Sequence, residues 1–192
     1  MANSQKLVNL PIVMKILRLL KIAGMGLASC LFVSSAHAGA VVGEAAPDFT
    51  LKNLDGAEVK LGEFADKIVV LEWTNFLCPF VEKHYENGDM PALQKKYRAK
   101  GVVWLAVSSG PEGKQGNFAV DQYRKEVEAR AFAADHLLLD RSGEVGKQYG
   151  ATNTPHMFVI NRGKLVYAGA IDSIRSAKSE DVAKADNYVV MA

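Results

Sequence analysis

Cysteine is almost missing from this chain, with two among 192 residues, Cys30 and Cys78. Two are too few for a disulfide scaffold, and no Cys/His cluster has zinc-finger spacing. Net charge is nearly absent as well: 23 basic against 21 acidic side chains give +2, which points to no nucleic-acid partner. There is no glycine period, heptad pattern, internal repeat or low-complexity tract, so collagen, coiled coil and solenoid are excluded. No apolar run reaches the ~20 residues of a membrane span. What remains is ordinary: 49% hydrophobic, 23% charged and 8% aromatic, at a length that fits one domain with its own core.

The first 38 residues have no Asp or Glu. Lys6, Lys15, Arg18 and Lys21 precede an apolar run over 22–33, and Ala36-His37-Ala38 follows. A basic region, a short apolar region and an A-x-A site, in that order, read as a signal peptide over 1–38 with cleavage before Gly39. Met14 is an alternative start. Leu27-Ala28-Ser29-Cys30 also resembles a lipoprotein signal, so the N-terminus offers membrane attachment only if it stays uncleaved or is lipidated. Residues 39–192 hold 19 basic and 21 acidic side chains and a single cysteine, Cys78. A periplasmic or secreted protein with a lone thiol buries it, pairs it with another molecule, or uses it.

Short alternating segments follow. The runs 49–51 and 59–61 flank Asn53-Leu54-Asp55-Gly56, a hairpin signal. Residues 68–71 and 102–107 are continuous apolar runs, as buried strands require. From Pro79 to about Lys100, apolar residues recur at helical spacing, but Asn87-Gly88 and Pro91 predict two pieces or a kink. A loop over 108–117, a helix over 118–133, a short strand over 137–139 and a helical turn over 145–149 come next. The runs 157–160 and 164–167 predict a second hairpin about Asn161-Arg162-Gly163, and 179–190 a last helix. This order predicts an α/β sandwich with a mixed central sheet, helices on both faces, and the N-terminal hairpin added at one end.

The chemistry concentrates after the first buried strand, in Glu72-Trp73-Thr74-Asn75-Phe76-Leu77-Cys78-Pro79-Phe80. A cysteine where a strand ends and a helix starts meets backbone N–H groups that favour a thiolate, the reactive species. Proline is well tolerated at the first helical position. The competing reading is a structural core cysteine. Thr154-Pro155 precedes the strand 157–160. Proline at a strand entry fits a cis bond in a tight functional turn, or a trans bond at a strand edge.

Val42-Gly43-Glu44-Ala45-Ala46-Pro47-Asp48-Phe49-Thr50-Leu51, Leu54-Asp55-Gly56, Trp73, Cys78-Pro79, Tyr149-Gly150, Thr154-Pro155 and Phe158-Val159-Ile160 carry a resemblance. Together they are similar to the thioredoxin-like superfamily, in the redoxin group of the alkyl hydroperoxide reductase/thiol-specific antioxidant (peroxiredoxin-like) family. The resemblance covers nearly all of 41–192, and it implies a last helix longer than the chain holds after Tyr188. It also implies that Cys78 is the nucleophile and that Thr154 and Pro155 align the incoming group. Glu72 would be a buried acid that moves a proton. Departures stand beside the match. Asn75 takes the place of a second cysteine three residues before Cys78, so no internal dithiol exists. Leu71 and Asn75 replace the Pro and Thr/Ser of the peroxidatic pattern, and the family's later Arg falls near Pro155.

The remaining candidates each have two readings. Glu72 is either that buried acid or a strand-edge carboxylate in water. Asn75 either bonds the thiolate or caps a turn. Trp73, Phe76, Pro79, Phe80 and His156 are candidate walls for a substrate, against ordinary core. His84 and His156 are surface histidines or, with Cys78, copper ligands. The sequence therefore implies an exported thiol oxidoreductase with antioxidant character. Cys78 reacts with peroxide or disulfide and is resolved by an external thiol or a redox partner protein, with no cofactor. The alternative is a non-catalytic, copper-binding module of the same fold.

Overall fold

The computed structural model describes residues 39–192, so the expected signal peptide over 1–38 and Cys30 lie outside the described residues. Seven strands run in the order β2-β1-β5-β4-β3-β6-β7. They are β1 (Thr50–Asn53), β2 (Glu58–Lys60), β3 (Ile68–Trp73), β4 (Val103–Ser109), β5 (His136–Asp140), β6 (His156–Asn161) and β7 (Lys164–Gly169). β3, β4 and β5 pair in parallel, while β1 and β6 join antiparallel to β5 and β3. The hairpin β1–β2 adds at one edge of the sheet, as its short turn requires. The expected mixed sheet is therefore present.

β3 is an interior strand, between β4 and β6, and is buried on both faces from Val69 onward. Its side chains alternate, as a strand's must. Val69, Leu71 and Trp73 enter one core cluster with Phe158 and Tyr149; Val70 enters a second with Trp104 and Tyr85. Burying each such large side chain stabilises the fold by ~1.5–3 kcal/mol. Leu71 is fully buried in this interior strand, and Leu71→Ala would cost ~2–5 kcal/mol.

Helices α1 (Pro79–Glu86) and α2 (Asp89–Arg98) are the expected two pieces. Gly88 separates them with φ +79°, a left-handed conformation that an L side chain resists. Pro91 sits in the first turn of α2, where a missing N–H costs nothing. Then follow α3 (Val120–Ala129) and α4 (Glu144–Tyr149). α3 is shorter than the apolar pattern suggests; its last turn gives way to Ala131 at φ +50°. The expected last helix is a correction. Residues 179–190 form a 3-10 turn (Ser179–Lys184), a break, and a one-turn helix α5 (Tyr188–Met191). Nothing in the 3-10 turn is buried, so it lacks the apolar face that would hold a longer helix. No helix among the described residues is long and apolar enough to cross a membrane.

Candidate functional site

Where β3 ends, the Thr74 N–H still donates to the Val107 carbonyl at 2.9 Å, so the strand hands a rigid end to the following loop. Asn75 shapes that loop. Its Oδ1 accepts the Leu77 N–H at 2.9 Å and its carbonyl accepts the Cys78 N–H at 2.9 Å. Its Nδ2 reaches the Gln115 carbonyl at 3.4 Å. Gly116 lies directly against it: a Cβ there would stand 1.9 Å from Asn75 Oδ1, and its φ is +75°. Asn75 thus caps a turn and ties two loops together. Its recorded hydrogen bonds go to backbone, not to sulfur.

Cys78 is the N-cap residue of α1, with Pro79 at the first helical position. The Cys78 carbonyl accepts the Val81 and Glu82 N–H groups at 2.9 Å each. Its side chain makes no capping bond. Sγ instead donates to the Thr154 carbonyl at 3.1 Å, across 76 positions of sequence. The Thr154-Pro155 bond is cis. The thiol is half-buried, between Leu77 and Phe80, which are 49% and 39% exposed. It is the one free cysteine among the described residues. One turn along α1, where a C-x-x-C pair would place its second sulfur, stands Val81, fully buried.

Glu72 is not a strand-edge carboxylate. It is fully buried under α1 and α2, and it accepts from Tyr85 Oη at 2.8 Å, Trp104 Nε1 at 2.8 Å and Gln94 Nε2 at 3.0 Å. Burial pushes its carboxyl pKa up, and these hydrogen bonds oppose the rise. None of its recorded hydrogen bonds leads to Cys78, so the structure shows no direct path for the expected proton transfer.

The expected aromatic walls divide. Pro79 and Phe80 flank the thiol, but Phe76 is 1% exposed and packs edge-on against Tyr85, Tyr123 and Phe132. It is core, because its loop turns inward there. Trp73 is likewise core, with Nε1 donating to Ser109 Oγ at 2.9 Å. That hydroxyl donates to the buried Asp140, which also accepts the Gly146 N–H. His156 lies opposite Trp73 in the β3–β6 register, so it shares Trp73's face of the sheet. Its ring sits 4.5 Å from that of Phe158, and burial lowers its pKa. Cys78 packs against the other cluster, so His156 does not wall the thiol.

His84 is also not a surface residue. It is 2% exposed, and Nε2 lies 3.0 Å from Asp172 Oδ2, which Lys83 Nζ approaches to 2.7 Å. Burial holds the His84 pKa down at about 4, against the opposing pull of Asp172, so the ring is neutral at pH 7. Among the described residues no group of three or more His, Cys, Asp and Glu side chains is placed to hold a metal ion. The copper reading therefore gains nothing from the geometry. Lys83 and Asp172 escaped the sequence reading, though a signal existed for their neighbour. Val81, His84 and Tyr85 share one helical face, the buried one.

A groove of ≈ 410 Å³ opens beside the Thr154-Pro155 turn, between α1 and residues 170–175. Phe80, Pro155, Ile171 and Ile174 give it apolar walls. A thiol held at a helix start, the Thr154 carbonyl against it and an adjoining groove suit exchange with a sulfur carried on another molecule.

Known proteins agree with this geometry. The thiol-disulfide oxidoreductase ResA of Bacillus thuringiensis subsp. konkukian (strain 97-27) is 30% identical over 126 residues, which are 65% of this chain and 67% of that protein. A crystal structure of a conserved protein from Geobacillus kaustophilus is 28% identical and superposes with a TM-score of 0.64, over 74% of this chain and 78% of that one. The thioredoxin domain of a thiol-disulfide oxidoreductase from Bacteroides vulgatus, 21% identical, shares the fold with a TM-score of 0.54, over 75% of this chain and 96% of that one. The model of the AhpC/TSA family matches residues 42–168. That match takes in every strand framing Cys78 and the turn that meets its sulfur, and the chain belongs to the AhpC/TSA family of thioredoxin-like proteins.

Proposed function

We propose that this chain is an exported thiol-disulfide oxidoreductase that works through one sulfur, Cys78. The observation that carries the reading is the 3.1 Å contact between Cys78 Sγ and the Thr154 carbonyl, at the start of α1 and beside the cis proline. The Cys78 thiolate attacks one sulfur of a partner disulfide. The Cys78–partner S–S bond forms, the partner's own S–S bond breaks, and the released partner thiolate takes the electron pair. Asn75 and Val81, the two positions three residues from Cys78, both lack a thiol, so an external thiol attacks the mixed disulfide and restores Cys78. Thr154 and Pro155 align the incoming segment, Pro79 and Phe80 border it, and Asn75 holds the loop that presents the sulfur.

Disulfide is favoured over peroxide as the oxidant. No guanidinium or hydroxyl hydrogen bond to Cys78 Sγ is recorded among the described residues, and peroxide reduction needs such donors to polarise the O–O bond. The relatedness to ResA supports the same choice. The basic, acid-free leader over 1–38 supports export.

The test is turnover with glutathione as the external thiol, against a protein disulfide and against hydrogen peroxide in parallel. The reading expects disulfide reduction well above background, lost in Cys78→Ser. Equal rates for wild type and Cys78→Ser would overturn it. Turnover of peroxide alone would replace the disulfide with a peroxide and keep the sulfur.

A further inference from the structure

The segment 170–175, which lines the groove together with Thr154, the residue whose carbonyl meets Cys78 Sγ, is held with unusual care. Lys83 Nζ donates to the Ile174 carbonyl at 3.2 Å, and the Ile174 N–H donates to Asp172 Oδ1 at 2.9 Å. Lys83 and Asp172 are 3% and 6% exposed and pair at 2.7 Å. Both backbone groups of Ile174 are therefore fixed from within. A buried ion pair is a poor way to gain stability, since desolvation offsets much of the attraction. It is a good way to fix one conformation, and the residue it fixes the chain for is the next one, Arg175.

Arg175 is exposed, lines the groove, and makes no ion pair among the described residues. The other charged residues lining the groove, Lys83 and Asp172, neutralise each other, and His84 is neutral. The groove is thus apolar-walled with one net positive charge, on a planar guanidinium suited to bidentate carboxylate binding.

We propose that Arg175 is a specificity residue, and that the groove takes an extended segment of a partner protein carrying a carboxylate beside its reacting cysteine. This rests on the reading of Cys78 as the exchanging sulfur. The apolar walls of Phe80, Ile171 and Ile174 take the neighbouring apolar side chain, and Arg175 pairs with the Asp or Glu.

Three peptides test it, each with one cysteine activated as a neutral 2-pyridyl disulfide and flanked by Glu, Gln or Lys. The Cys78 thiolate displaces pyridine-2-thiolate, which is released as the absorbing thione, so the rate is read directly. The expected order is Glu, then Gln, then Lys, with about a threefold to tenfold span at low salt that shrinks at 0.5 M salt. Arg175→Glu inverts the order. That comparison is a ratio within one variant, so a change in overall stability or reactivity cancels. Equal rates for the three peptides, or an order unchanged in Arg175→Glu, overturn the proposal while leaving Cys78 chemistry standing. If none of the peptides reacts in wild type, the oxidoreductase reading itself fails.

Discussion

Glu72 shows what one residue can disclose. A carboxyl buried beneath two helices and met by three donors keeps its proton to higher pH than it does in the unfolded chain. Above the unfolded value of about 4.5 the unfolded chain has released that proton and the folded chain still holds it. Stability contributed by this group is therefore present at low pH and is lost as pH rises through the folded pKa. Glu72→Gln removes the titration. Its urea midpoint, compared with wild type, rises progressively from pH 4 to pH 8; a difference that is flat with pH would contradict the burial argument. The two readings of Glu72 could not be separated in the sequence, because a single polar residue in an apolar strand fits an edge or a core equally. What separates them is Tyr85, Gln94 and Trp104, which arrive from three other elements. Cys78 and Thr154-Pro155 were legible for the opposite reason. Each is defined by its immediate neighbours, a strand end before a proline and a proline before a strand.

At the scale of elements, α1 carries the proposed one-sulfur chemistry. Its N-cap is Cys78 and its first buried position is Val81, which sits where a second thiol would resolve a mixed disulfide internally. Val81→Cys would create that arrangement. It is expected to cost about 1 kcal/mol in packing and to form an internal disulfide with Cys78 on mild oxidation. Thiol titration would then find none free after oxidation and both free after reduction. Two thiols that stay titratable after oxidation would show that Cys78 and Val81 do not face each other as a helix start requires. The break between α1 and α2 was legible because Asn87-Gly88 and Pro91 are local signals. The 170–175 segment was not. Its order comes from Lys83, some 91 residues earlier, and no pattern along the chain links the two. Phe76 misled for a related reason, since an aromatic residue two positions before a candidate cysteine looks like a wall until the loop is seen to fold inward.

Over the whole molecule, a sheet with parallel strands at its centre carries the sulfur just past the end of β3, an interior strand between β4 and β6. The turn that meets it comes from the neighbouring antiparallel strand, β6. The fold class followed from the alternation of apolar runs and helical segments. The strand order followed only in part, because the hairpin β1–β2 joins β5 rather than a sequential neighbour. The account of this molecule rests on Cys78 being reachable and willing to exchange in the folded state. The most direct measurement is the intact mass of the reduced, folded protein beginning at Gly39 after brief treatment with excess oxidised glutathione. The account predicts one glutathione adduct, located at Cys78 by peptide mapping, removed by free thiol, and absent from Cys78→Ser. An unmodified folded protein that takes up the adduct only after denaturation would contradict it, and would leave a thioredoxin-like scaffold with a structural cysteine.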